Sequence, residues 1–168
     1  MYMSELVQQS SPRQDLREDP SFIQMLTESY RRFVGEPLAP ENVASHDVAR
    51  WLYEDAPFAL LAHDASSDPL FIYGNAEAQR KFEYTWEELI HLPSRLSAEK
   101  PEREARDRFL QDVARYGYVA GYGGIRVAKS GRRFRIENAT VWQLIDREGV
   151  VRGQAAILPS SLISSIDL

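Results

Sequence analysis

Histidine and cysteine are the side chains from which metal sites and nucleophilic centres are most often built, and this sequence carries three of the first and none of the second. His46, His63 and His91 are scattered along the chain, so they read as surface or element-end residues rather than as a metal cluster. The missing cysteine removes disulfides, thiolate zinc sites, iron–sulfur clusters and cysteine nucleophiles together. It also removes every chromophore or flavin adduct attached through sulfur. With no histidine in the long helical tract from Pro101 to Tyr116 either, no metal, haem or covalently attached chromophore is expected.

The richer signal is a glycine-bearing strand next to a polar one. If Ser130 and Gly131 form a two-residue hairpin turn, Val127 faces Phe134 and Ile125 faces Ile136, apolar against apolar. Continued inward, this register sets Gly123 opposite Asn138, Gly121 opposite Thr140 and Val119 opposite Trp142. Glycine leaves volume, while a buried amide, hydroxyl or indole requires a partner, so Gly121, Gly123, Asn138, Thr140 and Trp142 form a candidate ligand-binding floor. The alternative is a glycine bulge that bends the sheet, with Asn138 and Thr140 satisfied by backbone or a buried water. On the opposite face the same register puts Arg126 across from Arg135, with Glu137 diagonal to Arg126: a solvated ion-pair ladder or a docking surface for an acidic partner. Arg95, held between Pro93 and a following helix, offers a planar fork to an anionic ligand or ties its loop to a carbonyl or an acid. No catalytic residue is assigned, because acid–base chemistry needs a carboxylate or histidine facing the cavity and Glu137 points away.

These residues must be positioned by elements with clear local signatures. Asp19 and Pro20 fit a helix start, Phe22, Ile23, Leu26, Tyr30 and Phe33 recur at helical spacing, and Gly35 stops the pattern. A proline-rich linker follows, then a short helix with Ser45 as cap candidate and Val48, Trp51 and Leu52 within it, ending before Pro57. FALLAHD and PLFIYG read as strands; Asn75 is a natural N-cap, and Thr85 with Glu88 matches a capping box. A longer helix from Pro101 carries Phe109, Leu110, Val113 and Tyr116 on one face and ends at Gly117. Three strand-like segments, separated by KSG and DREG, close the chain. Strands, then helices, then strands, without βαβ alternation, predict an α+β fold with an antiparallel sheet. The apolar stripe of the first helix needs a cover, which predicts docking on the outer sheet face of its own domain or of a partner subunit, a homodimer being favoured.

Composition agrees with a single domain of ordinary size. Of 168 residues, 43% are hydrophobic and 27% charged, which disfavours disorder and membrane insertion alike. A net charge of -5 gives no bias toward nucleic acid. No apolar run approaches the roughly 20 residues of a spanning helix, and the first residues lack the order of a signal peptide. The expected location is cytoplasmic.

The passage IYGNAEAQRKFEYTWEEL resembles the PAS pattern of a strand ending in Asn, a helix, an aromatic pair and an acidic short helix. More specifically, LPSRLSAEKPERE, GYGGIRVAKSGRRFRIENATVWQLID and GQAAIL, in that order, resemble the MEKHLA domain, found alone in bacteria and at the C-terminus of plant class III homeodomain-leucine zipper proteins. The resemblance implies a PAS-like five-stranded antiparallel sheet with short helices on one face over residues 57–159. Outside it lie an expected flexible tail at 1–18, an N-terminal helical extension at 19–56 and a C-terminal tail at 160–168. It also implies a non-enzymatic sensor or protein-interaction domain, with a small molecule on the inner sheet face. With no DNA-binding or output region expected beside it, a signal would leave through a protein partner or a homodimer. The alternatives are a small cone-shaped α+β acid–base enzyme and a sensor that holds haem or flavin without a covalent bond.

Overall fold

The computed structural model describes residues 15–166; most of the expected N-terminal tail, and residues 167 and 168, lie outside that range. Helix α1, Pro20–Val34, begins where expected: the Asp19 side chain accepts the Ser21 N–H at 3.0 Å, and Pro20 fills the first turn. Gly35 ends it at φ 87°, donating its N–H to Arg31 O. A short helix α2, Val48–Arg50, runs on into a π-helical turn, Trp51–Asp55, that buries Leu52.

Six antiparallel strands make one sheet: β1 Phe58–Asp64, β2 Phe71–Gly74, β3 Tyr118–Val127, β4 Arg133–Ile145, β5 Val151–Pro159 and a two-residue β6, Ser164–Ser165. Their order is β2-β1-β5-β4-β3, with β6 against β4, so the expected five are present with one short addition. Between β2 and β3 the chain forms α3 Ala76–Phe82, α4 Trp86–Leu89, a 3-10 turn Ser94–Ser97 and α5 Lys100–Tyr116. Thr85 and Glu88 form the reciprocal capping box at the start of α4.

The sheet is covered on both sides, which explains why β1 is apolar on both faces from Phe58 to Ala62. Ala59 and Leu61 face inward, in one cluster with Phe71, Phe82, Phe134 and Leu158. Leu60 and Ala62 face outward, in a second cluster with Phe22, Leu26, Tyr30 and Trp142. Helix α1 therefore packs on the outer face of its own sheet. Tyr30 meets Trp142 edge-on, with ring centroids 4.8 Å apart. Ser29 then fastens the helix to the end of β4, its Oγ accepting Ile145 N–H at 3.0 Å and donating to Ile145 O at 3.2 Å.

The register of the β3–β4 hairpin departs from expectation by one residue. Ala128 N–H donates to Arg132 O and Gly131 N–H to Ala128 O, with Gly131 at φ 90°, so the turn holds Lys129, Ser130 and Gly131 rather than two residues. Arg126 consequently pairs with Phe134 and Ile125 with Arg135. A slip of one flips a side chain to the other face. Arg126, expected outside in a ladder with Arg135 and Glu137, is turned inward and buried. The expected pairs Gly123–Asn138, Gly121–Thr140 and Val119–Trp142 are likewise replaced: the register shifts on either side of Tyr122, which faces Ala139, while Val119 faces Val141 and Tyr118 faces Trp142. Gly121 at φ 72° and Asn138 at φ 56° supply the left-handed backbone in this irregular stretch.

Candidate functional site

Helix α5 stands off the inner sheet face and forms with it a half-open cavity of about 70 Å³. One part of its wall is apolar, with Leu61, Phe71, Phe82, Ile136 and Leu158. The other is polar: His63 from β1, Ser97 from the 3-10 turn, Arg106 from α5, Tyr122 and Arg126 from β3, and Gln154 from β5. Phe109 of α5 stacks on Tyr122, with centroids 3.8 Å apart and planes 22° from parallel, and so fixes the phenol that meets Arg126.

Two guanidinium groups here are nearly dry, Arg106 at 6% exposure and Arg126 at 7%. Arg106 donates from Nη2 to Ser94 Oγ at 2.6 Å. Arg126 donates from Nη1 to Ile125 O at 2.9 Å and from Nη2 to Tyr122 Oη at 2.8 Å. All three acceptors are neutral. Among the described side chains, the carboxylate paired with Arg106 is Asp107 at 3.9 Å, itself 65% exposed, and none pairs with Arg126. Burial, reinforced by the charge of Arg126, lowers the Arg106 pKa to about 10.

Two acceptors complete the polar wall. His63 Nδ1 lies 2.8 Å from Asp64 O and must donate to it, which leaves Nε2 with a lone pair in the neutral ring. Burial lowers the His63 pKa and favours that neutral form, and Nε2 is buried without a partner among the described residues. Gln154 donates from Nε2 to Leu110 O at 3.1 Å, and its Oε1 is also buried without a partner. The wall thus combines positive charge with two acceptors that have no partner, and no carboxylate lines it among the described residues.

The structure places the residues singled out from sequence elsewhere. Gly121, Gly123 and Asn138 are exposed on the irregular stretch of β3 and β4. Thr140, half-buried, faces Ile157, and Trp142, fully buried, lies beneath α1 on the outer side. Arg95 donates to Asp68 Oδ1 at 3.1 Å on the surface. None of the six lines the cavity. The residues that do, and that sequence reasoning missed, carried one legible sign. Arg106 sits three, four and seven positions before Phe109, Leu110 and Val113, on the apolar stripe of its helix.

Comparison with solved structures identifies the architecture. A PAS domain from Colwellia psychrerythraea superimposes with a TM-score of 0.58 at 16% identity, over 65% of this chain and 90% of that one. A PAS domain from a two-component sensor histidine kinase gives 0.53 at 19% identity, over 70% and 93%. A light-oxygen-voltage domain described with a flavin analogue gives 0.56 at 14% identity, over 73% and 87%. At these identities the likeness establishes the PAS-like fold and nothing finer. The search of curated proteins finds no match. The family model that matches is that of the MEKHLA domain, over residues 20–161.

Proposed function

Because this chain belongs to the MEKHLA domain family, we propose that it is a non-enzymatic sensor or protein-interaction domain governed by a small molecule in its inner-face cavity. The observation that carries the reading is the polar wall between α5 and the sheet: among the described residues, its two buried guanidinium groups have only the exposed Asp107, 3.9 Å from Arg106, as a carboxylate within ion-pair reach, and two of its buried acceptors have no partner. Such groups are costly unless something meets them. The enzyme alternative is weaker: His63 does face the cavity, but among the described residues the wall holds no carboxylate and no nucleophile hydrogen-bonded to that imidazole. A flavin or haem sensor finds less support, since the cavity of about 70 Å³ is well under the roughly 300 Å³ at which drug-sized ligand sites begin.

A cytoplasmic location fits the finding that no described helix is long and apolar enough to cross a membrane. The output of the domain is a contact with a protein partner or a second copy. Native mass spectrometry of freshly purified protein, followed by denaturation to identify any released molecule, tests the reading. A small molecule retained in the native ion, or one that raises the melting temperature when added back, supports it. Absence of any such molecule, together with no response to a broad metabolite set, would overturn it.

A further inference from the structure

The chemical class of the ligand follows from what the described residues of the cavity wall lack, an inference that rests on the cavity being the ligand site. Arg106 and Arg126 put two positive charges into one small space, and among the described residues the only carboxylate within ion-pair reach of either is the exposed Asp107, 3.9 Å from Arg106; a buried charge so weakly compensated is among the least favourable arrangements in a folded protein. Their hydrogen bonds to Ser94, Ile125 and Tyr122 orient the planes without cancelling the charge. Both retain N–H donors that no described residue uses. We propose that the cavity takes a short-chain organic carboxylate, its carboxylate bound by the guanidinium groups of Arg106 and Arg126 and its carbon skeleton against the apolar wall of Phe82 and Leu158.

The forked guanidinium matches a carboxylate in geometry as well as charge. An inorganic anion would complement the arginines but leave the apolar wall unmatched. The volume of about 70 Å³ admits a ligand of only a few heavy atoms. His63 Nε2 and Gln154 Oε1 refine the class, because both accept hydrogen bonds and neither has a donor among the described residues. Their strands pair at these two residues, so both acceptors come from one rung of the sheet. A hydroxyl beside the carboxylate supplies a donor to this rung, and a hydroxycarboxylate binds more tightly than its deoxy counterpart.

The test uses the full chain at constant ionic strength, with calorimetric titration and thermal melting against lactate, propionate, lactamide, chloride and phosphate. Lactate binds and raises the melting temperature, propionate binds more weakly, and lactamide, in which a neutral amide replaces the carboxylate, binds about tenfold or more weakly than lactate. Arg106→Gln and Arg126→Gln each weaken lactate by a similar factor. If a glutamine variant does not fold, Arg106→Lys or Arg126→Lys must still weaken binding through loss of the planar fork, and the comparison of lactate with lactamide needs no variant. Equal binding of lactate and lactamide would overturn the carboxylate assignment and leave the cavity reading standing. Equal stabilisation by chloride or phosphate would also overturn it. If no member of the set binds while native mass spectrometry retains a neutral molecule, the carboxylate proposal alone fails; if nothing is retained either, both readings fail.

Discussion

The side-chain oxygen of Asn75 accepts the backbone N–H of Leu60 at 2.9 Å, and the same oxygen caps α3 by accepting the Ala78 N–H at 3.0 Å. Its Nδ2 donates to Leu52 O at 2.9 Å and to Phe58 O at 3.0 Å. One fully buried amide thus joins the strand that borders the cavity to the helix and to the turn beneath it.

That arrangement uses both ends of the amide, so an isostere that keeps only one end should not rescue it. Asn75→Asp retains the acceptor but presents oxygen, and a buried charge, to two carbonyl groups. It is expected to destabilise the protein by about 2–4 kcal/mol, at least as much as Asn75→Ala. Urea unfolding of the three proteins measures this. An aspartate variant close to the parent would show that the donor bonds contribute nothing.

Helix α1 is part of the core rather than an appendage, with Leu26 fully buried against the outer sheet face. Leu26→Ala is expected to cost about 2–5 kcal/mol. Removing residues 1–36 should raise binding of a hydrophobic dye and lower the melting temperature, since Trp142 and Leu60 lose their cover. An unchanged melt and dye response in the truncated protein would show that the helix does not hold this face.

Two glycines, both at positive φ, differ in the space around them. A Cβ at Gly153 would lie 2.0 Å from His63 O, on backbone that cannot move aside, whereas a Cβ at Gly121 meets nothing within 4 Å. Gly153→Ala should abolish or severely reduce folded yield, while Gly121→Ala should cost only about 1–2 kcal/mol for its left-handed backbone. Circular dichroism melts of the soluble fractions distinguish the two. Comparable losses would contradict the close approach of β5 to β1.

His63 gives the stability a dependence on pH. Burial lowers its folded pKa below the ordinary 6.5, so between the folded value and 6.5 the unfolded chain binds more protons than the native one. The His63 contribution is therefore complete above pH 6.5 and is lost as pH falls through that window. His63→Gln should flatten this part of the stability–pH curve relative to the parent. Parallel curves for the two proteins would mean that His63 titrates in the native state as it does unfolded.

Local signals in the chain were enough to mark the ends of the longer helices and the five main strands. Asp19 with Pro20, Asn75, Thr85 with Glu88, and Gly117 mark helix ends through bonds that close within a few residues, and periodicity names the buried stripe of α1 without knowledge of its partner. The block order GYGGIRVAKSGRRF to GQAAIL was enough for the family, because the order of motifs survives errors in pairing. What the tertiary structure decided was which side chains share a space. The backbone of one turn, with Gly131 in the left-handed region, sets the β3–β4 register and thereby turns Arg126 from solvent to the cavity. The packing of α5 on the sheet buries Arg106 beside it, and the pairing of β1 with β5 brings His63 level with Gln154. Each of these depends on groups distant in the chain, and a charged residue looks alike in sequence whether its destination is water or a dry wall, since burial belongs to the neighbours and not to the residue.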